Sequence, residues 1–488
     1  MSATPIIPGF HPDPSICRVG DDYYLVNSSF EFLPGVPIFH SRDLVTWELI
    51  GNVLDRDDQL ALGSSEGSNG IFAPTIRHHD GRFWMITTCI NRVREGHLIV
   101  SATDPAGPWT TPVYTTGAMG IDPDLFWDED GTCYLTWAGG WGGGMPIGQV
   151  AILPETGELL GEPRGISSGT GLANPEGPHI YRRGDWYYLL LAEGGTERGH
   201  AVTIARSRSV DGPYEQNPAN PILSHRSTTD PVQNTGHADL VETADGWAMV
   251  YLGVRPVGPT PGFHLNGRET FLAGVEWVDD WPVVDETVFA VPAGSRDLDD
   301  DFTAPTLDLR WVAPGRHPRD FVAPAPGGGM SIRGSGSPDY RALLAIRVQD
   351  QAWHAQATVD AGTARLVLRM DDAHWAAIES RDGTLTARAI AGPFDQVLGE
   401  ASAPASPTVT LAIRSTQPPA GPYGGTSVAD VVELGIVVDD DFQPIASLDG
   451  RYLSTEVAGG FTGRVIGVEP LPGSDEPAII RRFRYRSL

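Results

Sequence analysis

Asp13-Pro14-Ser15-Ile16, Gly20-Asp21-Asp22 and Tyr23-Tyr24-Leu25-Val26 make up the stretch whose reading decides the fold. It reads as a strand, a tight turn and an aromatic-rich second strand. The same order of residue types returns four times. The second copy is Ala73-Pro74-Thr75-Ile76, a turn at Asp80-Gly81, then Phe83-Trp84-Met85-Ile86. The third is Asp122-Pro123-Asp124-Leu125, Asp130-Gly131 and Tyr134-Leu135. The fourth is Glu176-Gly177-Pro178-His179-Ile180, Gly184-Asp185 and Trp186-Tyr187-Tyr188-Leu189. The fifth is His237-Ala238-Asp239-Leu240, Asp245-Gly246 and Trp247-Ala248-Met249-Val250.

The apolar residues alternate, which suits sheet and not helix. The copies recur at about 50 to 60 residues, the size of a four-stranded propeller blade with longer loops. His97-Leu98-Ile99-Val100-Ser101 and the run from Ala201 to Ser207 supply further strands between them. Five copies predict a five-bladed β-propeller over residues 1–295. Around 284–305 the pattern stops, and the run Arg296-Asp297-Leu298-Asp299-Asp300-Asp301 reads as a linker. Beyond it, period-2 segments such as Ala364 to Met370 and Val409 to Arg414 predict a β-sandwich over 300–488, with a loop at 324–329. The expected class is all-β.

Composition narrows the chemistry. All 34 basic residues are arginine, so no Schiff-base lysine, pyridoxal phosphate attachment or Walker A loop can be built. A net charge of −28 repels nucleic acid and aids solubility. Cys17, Cys89 and Cys133 are too few and too far apart for a disulfide framework or a thiolate zinc site, and read as buried free thiols. The opening MSATPIIPGFHPDPS has neither a basic nor an apolar leader region, and no stretch approaches the roughly 20 apolar residues of a membrane span. A cytoplasmic protein with no membrane partner is the expectation.

In a propeller the innermost strands line a central channel. Aligning the copies puts Asp13, Ala73, Asp122, Glu176 or Gly177, and His237 at one mouth of it. Three carboxylates and an imidazole then converge. Glycoside hydrolysis needs such a set: a carboxylate that deprotonates water, a carboxylic acid that stays protonated, and a third group that holds the acid's pKa up.

At these residues the chain resembles the family 43 glycoside hydrolases, the β-xylosidases and α-L-arabinofuranosidases. The resemblance spans the chain and is strongest over residues 5–290. Pro8 to Ser15 is similar to the family's opening motif, implying Asp13 as general base. Gly120 to Phe126 implies Asp122 as the pKa-modulating residue, and Glu176 to Tyr181 implies Glu176 as general acid. Gly236-His237-Ala238-Asp239 resembles the segment whose His lies at the channel centre, where the resemblance allows a single calcium ion; no cofactor is required. Gly267-Arg268-Glu269-Thr270 implies Arg268 as a binder of sugar hydroxyls; the stretch Phe30-Glu31-Phe32 resembles the family's pocket wall, and Phe72 offers a second aromatic wall. Gly70-Ile71-Phe72-Ala73-Pro74-Thr75 departs from the Gly-Ile-Trp-Ala-Pro-Asp of many family β-xylosidases, which leaves the preferred sugar open. The C-terminal part resembles the family's concanavalin A-like jelly roll only loosely.

The resemblance implies an exo-acting enzyme releasing terminal xylosyl or arabinofuranosyl residues from small oligosaccharides. Inversion is expected from the repeat geometry, because Asp13 and Glu176 come from blades one and four, which are not neighbours in a closed ring, leaving room for the attacking water. Three alternatives stand beside this. One is a non-catalytic carbohydrate-binding protein. Another is an endo-acting hydrolase of arabinan or xylan. The third is a serine hydrolase at Gly63-Ser64-Ser65-Glu66-Gly67, whose pattern lacks the strand before and helix after that a nucleophile elbow needs.

Overall fold

The computed structural model describes residues 4–64, 66–140, 146–334, 336, 340–419, 426–474 and 476–488. Five antiparallel sheets follow one another in chain order. Blade 1 is Ser15–Val19, Asp22–Val26, Gly35–Ser41 and Glu48–Leu54. Blade 2 is Thr75–His79, Arg82–Thr87, Leu98–Ala102 and Val113–Tyr114. Blade 3 is Ile121–Trp127, Cys133–Ala138, Ile147–Leu153 and Glu158–Leu159, with Arg164–Ser167 as an added strand. Blade 4 is Glu176–Arg183, Trp186–Glu193, Ala201–Ser207 and Glu215–Gln216. Blade 5 is Gln233–Glu242, Trp247–Val254, Glu269–Val278 and Trp281–Asp285.

The first strands of the blades touch in the order 1-2-3-4-5 and back to 1, which closes the ring of a five-bladed propeller. Each repeat is therefore an inner hairpin, as the turn residues require. In blade 2, Asp80 and Gly81 both have positive φ, 48° and 73°, between the paired His79 and Arg82. Two such residues make the type I′ turn, whose twist matches that of its strands. The free thiols of Cys17, Cys89 and Cys133 are buried.

The C-terminal part is two stacked antiparallel sheets. The six-stranded sheet runs Leu344–Arg347, Val465–Pro470, Ala364–Asp371, His374–Arg381, Thr384–Ala391 and Phe394–Ser402. The second sheet includes Ala478–Ser487, Trp353–Asp360, Thr408–Thr416 and Val431–Val438. Alternate residues of both fill one core around Trp311, Trp353, Leu366, Leu411 and Phe483. The acidic run expected to be linker is partly strand: Leu298–Asp300 pairs with residues 483–485. Burial of Leu298 in the sandwich core explains why this segment is not free.

The two parts are pressed together beside the channel mouth. A Cβ on Gly463 would lie 2.2 Å from the Asn266 carbonyl oxygen, so only glycine lets these backbones meet there. Arg464 N–H donates to the Leu265 carbonyl at 3.1 Å in the same contact. Among the described residues no helix is long and apolar enough to cross a membrane.

Candidate active site

The inner strands of blades 3, 4 and 5 carry register shifts at Ile121/Asp124, Glu176/His179 and Gly236/Asp239. At the equivalent point in four blades the backbone turns left-handed: φ is 52° at Asp13, 54° at Asp122, 55° at Gly177 and 44° at His237. Left-handed backbone is costly for a side-chain-bearing residue, and such bulges re-aim side chains at functional sites. Here they turn Asp13, Asp122 and His237 into the channel mouth. The equivalence falls on Gly177, and Glu176 enters from one residue earlier. A Cβ on Gly177 would sit 3.1 Å from His237 Nε2, a tight contact that glycine avoids.

Asp13, Asp122, Glu176, His237, Arg268, Phe30 and Phe72 all line one cavity of about 530 Å³. Every residue that the sequence nominates is thus brought together. Ser65 lies outside the described residues, and neither a strand before nor a helix after marks its neighbours.

Asp13 is buried and accepts from Ser28 Oγ at 2.5 Å and from Arg268 Nη1 at 2.9 Å, with Arg268 Nη2 at 3.4 Å. Burial works against its charge, but Arg268, His237 and the Ser28 hydroxyl outweigh it and hold the carboxyl below its ordinary value. Glu176 behaves oppositely. Burial and then the charge of Asp13 push it up to about 7, with Arg268 pulling weakly the other way. Asp122 is raised as well, by burial, by Glu176 and by Asp13; its Oδ2 accepts from Gly177 N–H at 3.1 Å. His237 Nδ1 stands 3.5 Å from Asp13 Oδ1, and burial lowers the imidazole to about 4, which keeps it neutral near pH 7. One pocket therefore holds a carboxyl kept below its ordinary value beside two raised above theirs, the split that general acid–base chemistry uses.

Residues 2–282 match the family model described as glycosyl hydrolases family 43. The chain belongs to that family.

Residues 299–486 of this family 43 glycosidase match the beta xylosidase C-terminal concanavalin A-like domain. It is similar to a xylosidase/arabinosidase of Butyrivibrio fibrisolvens, 43% identical over 73% of this chain and 74% of the relative. It is also similar to a non-reducing end alpha-L-arabinofuranosidase of Bacteroides ovatus, 37% identical over 95% of this chain and 90% of the relative. Among solved structures, the Bacteroides ovatus xyloglucan PUL GH43B superposes with a TM-score of 0.89 at 35% identity, over 99% of both chains. A xylan beta-1,4-xylosidase from Bacillus halodurans gives 0.87 at 31%, also over 99% of both. Enzymes of this family are generally cofactor-independent, and among the described residues no group of three or more His, Cys, Asp or Glu side chains is set to hold a metal ion.

Two pocket residues of the glycosidase escaped the reading of its sequence. Thr196 Oγ1 accepts from Arg268 Nη1 at 3.0 Å, so that nitrogen is shared between Asp13 and Thr196. Phe461 comes from the sandwich. Its ring stacks on Phe30 at 5.8 Å and meets Phe72 edge-on at 5.9 Å, with the Arg268 guanidinium 5.4 Å from its centroid. A hydrogen-bond relay seats it: Phe461 N–H donates to Ser68 Oγ at 2.8 Å, and Ser68 N–H donates to Glu31 Oε2 at 2.9 Å. Glu31 is in turn paired at 3.3 Å with Arg369 of the sandwich, both side chains fully buried. The only trace in the sequence is an aromatic between glycines, Gly459-Gly460-Phe461-Thr462-Gly463, which says nothing of where it docks.

Proposed function

We propose that this family 43 glycosidase is exo-acting and inverting, and that it releases terminal β-D-xylosyl or α-L-arabinofuranosyl residues from short oligosaccharides. The observation that carries the mechanism is the opposite displacement of two carboxyls in one pocket, Asp13 downward and Glu176 up to about 7. Asp13, ionised and oriented by Ser28 and Arg268, takes a proton from water as that water attacks the anomeric carbon. Glu176, protonated near neutral pH, donates to the departing glycosidic oxygen. Asp122 holds the Gly177 amide and so steadies the acid's strand. Arg268 keeps Asp13 charged and, as a lining residue of the pocket, takes the sugar hydroxyls.

Exo-action is supported by the wall of Phe30, Phe72 and Phe461, which narrows one side of the pocket. The names of the two curated relatives support the two pentoses. The same reading takes residues 1–295 as the catalytic domain and 300–488 as the sandwich that completes its pocket. A calcium ion beside His237 would draw most of its six to eight oxygens from water, since the nearby Asp13 is already paired with Arg268.

Proton NMR of the first-formed sugar tests the mechanism: the anomer opposite to the substrate's is expected, and retention overturns it. Parallel assays on 4-nitrophenyl β-D-xylopyranoside and α-L-arabinofuranoside test the substrate class. The alkaline limb of kcat/KM is expected near pH 7, where Glu176 loses its proton.

A further inference from the structure

A second cavity, of about 520 Å³, lies where the N-terminal segment and blade 1 meet the sandwich. It is lined by His11, Trp47, Arg296, Asp308, Arg310 and Arg347 among others, and its rim reaches solvent at Gly294 and Ser295. None of these residues belongs to the catalytic pocket.

Arg347 ends the strand Leu344–Arg347 and is 7% exposed. Its guanidinium lies 4.5 Å from the centroid of the Phe10 ring, which satisfies the face of the group but not its edge. Nε and Nη2 are buried with no hydrogen-bond partner among the described residues. The other charges are spoken for. Arg296 pairs with Asp350 at 3.0 Å, and Arg310 with Asp308 at 2.9 Å. Glu31, the acid that favours the charge of Arg347, is held by Arg369. Burial lowers His11 well below its ordinary value, so it adds no charge near neutral pH, and its Nδ1 is 2.9 Å from the Pro8 carbonyl oxygen. Of the guanidiniums lining the cavity, that of Arg347 is the one without an ion-pair partner among the described residues. A guanidinium without a counter-ion at a cavity wall attracts an anionic oxygen, of a carboxylate or a phosphate. The apolar wall of Phe39, Trp47 and Leu49 gives a volume suited to a small ligand.

We propose that this propeller–sandwich cavity binds a small oxyanion, an inorganic phosphate or the carboxylate of an acidic monosaccharide, on the guanidinium of Arg347. Such a ligand ties the sandwich to the Pro8–His11 segment that leads into Asp13.

The test is calorimetric titration and thermal unfolding of the full chain with inorganic phosphate, with D-glucuronate and with D-xylose. Phosphate, glucuronate or both are expected to bind and to raise the melting temperature by about 2 °C at saturation, and which of them does so names the source. The signal is expected to persist when xylose fills the catalytic pocket and to vanish in Arg347→Met. Arg310→Gln, at the cavity edge, is expected to weaken binding several-fold and serves if Arg347→Met does not fold. Absence of binding by either anion to the wild-type chain overturns the proposal. So does a signal that survives in Arg347→Met, or one that xylose displaces.

Discussion

Two layers of buried charge line the same channel, one at the mouth and one just beneath it. The upper holds Asp13, Asp122 and Glu176 with Arg268 and a neutral His237. The lower holds Asp124 and Asp239 with Arg77, Ser15, His179 and Tyr181. The lower aspartates stand two residues further along the strands that carry Asp122 and His237. There every charge is answered. Arg77 bridges Asp124 and Asp239 at 2.7 Å each, and Asp239 also accepts from Ser15 at 2.7 Å and Tyr181 at 2.5 Å. Burial opposes the charge of Asp239, but Arg77 and His179 hold its carboxyl far below the ordinary range. Above, three carboxylates share one guanidinium, which sits on Asp13, and the other two are pushed up. The same residue types on the same strands thus do different work. A compensated charge fastens blades together, whereas an uncompensated one keeps a proton ready for transfer.

The sharpest way to break this contrast is at the mouth. Asp13→Asn is expected to lower kcat by about 10⁴-fold on every substrate. A loss of only a few fold removes Asp13 from the base role. Glu176→Gln is expected to cost about 10²- to 10³-fold on alkyl or oligosaccharide substrates, but about tenfold or less on activated aryl glycosides, which need little protonation. Equal losses on both would show that Glu176 is not the acid.

Beneath the mouth the expected effect moves from rate to stability. Arg77→Met leaves two carboxylates buried without their cation, and urea unfolding is expected to show a loss of about 3–5 kcal/mol. The contrast fails if that variant is as stable as the wild type.

Glu176→Gln also sharpens the comparison through pH. The folded-state pKa of Glu176, about 7, lies above its ordinary 4.5. Its protonated form therefore favours the fold fully below pH 4.5, and that advantage is lost as pH rises through 7. The variant is expected to match the wild type at pH 4 and to be the more stable of the two at pH 8. Asp239 has the opposite sign, and its contribution is lost only as pH falls below its ordinary 3.8. The smallest effect is expected at the wall: Phe461→Ala should raise KM by about tenfold with kcat little changed, because it removes ring contact and no proton.

Much of this was legible in the chain alone. Strand–turn–strand repeats are local, so their spacing predicts five blades, and residues heading equivalent strands must meet around one axis. Asp13, Asp122 and His237 follow from that geometry, and Glu176 from the family resemblance. The tertiary structure decided what depends on neighbours remote in sequence. It placed the repeat's equivalence on Gly177 and not Glu176, because the left-handed turn falls there. It made Arg268 the partner of Asp13 across 255 residues. It made Leu298–Asp300 a strand, because residues 483–485 return to pair with it. It brought Phe461 to the pocket through contacts between glycine-thinned backbones that no local pattern announces. Above all it set which carboxyl is held ionised, since that depends on burial and on the distance to one guanidinium, and neither is a property of the chain order.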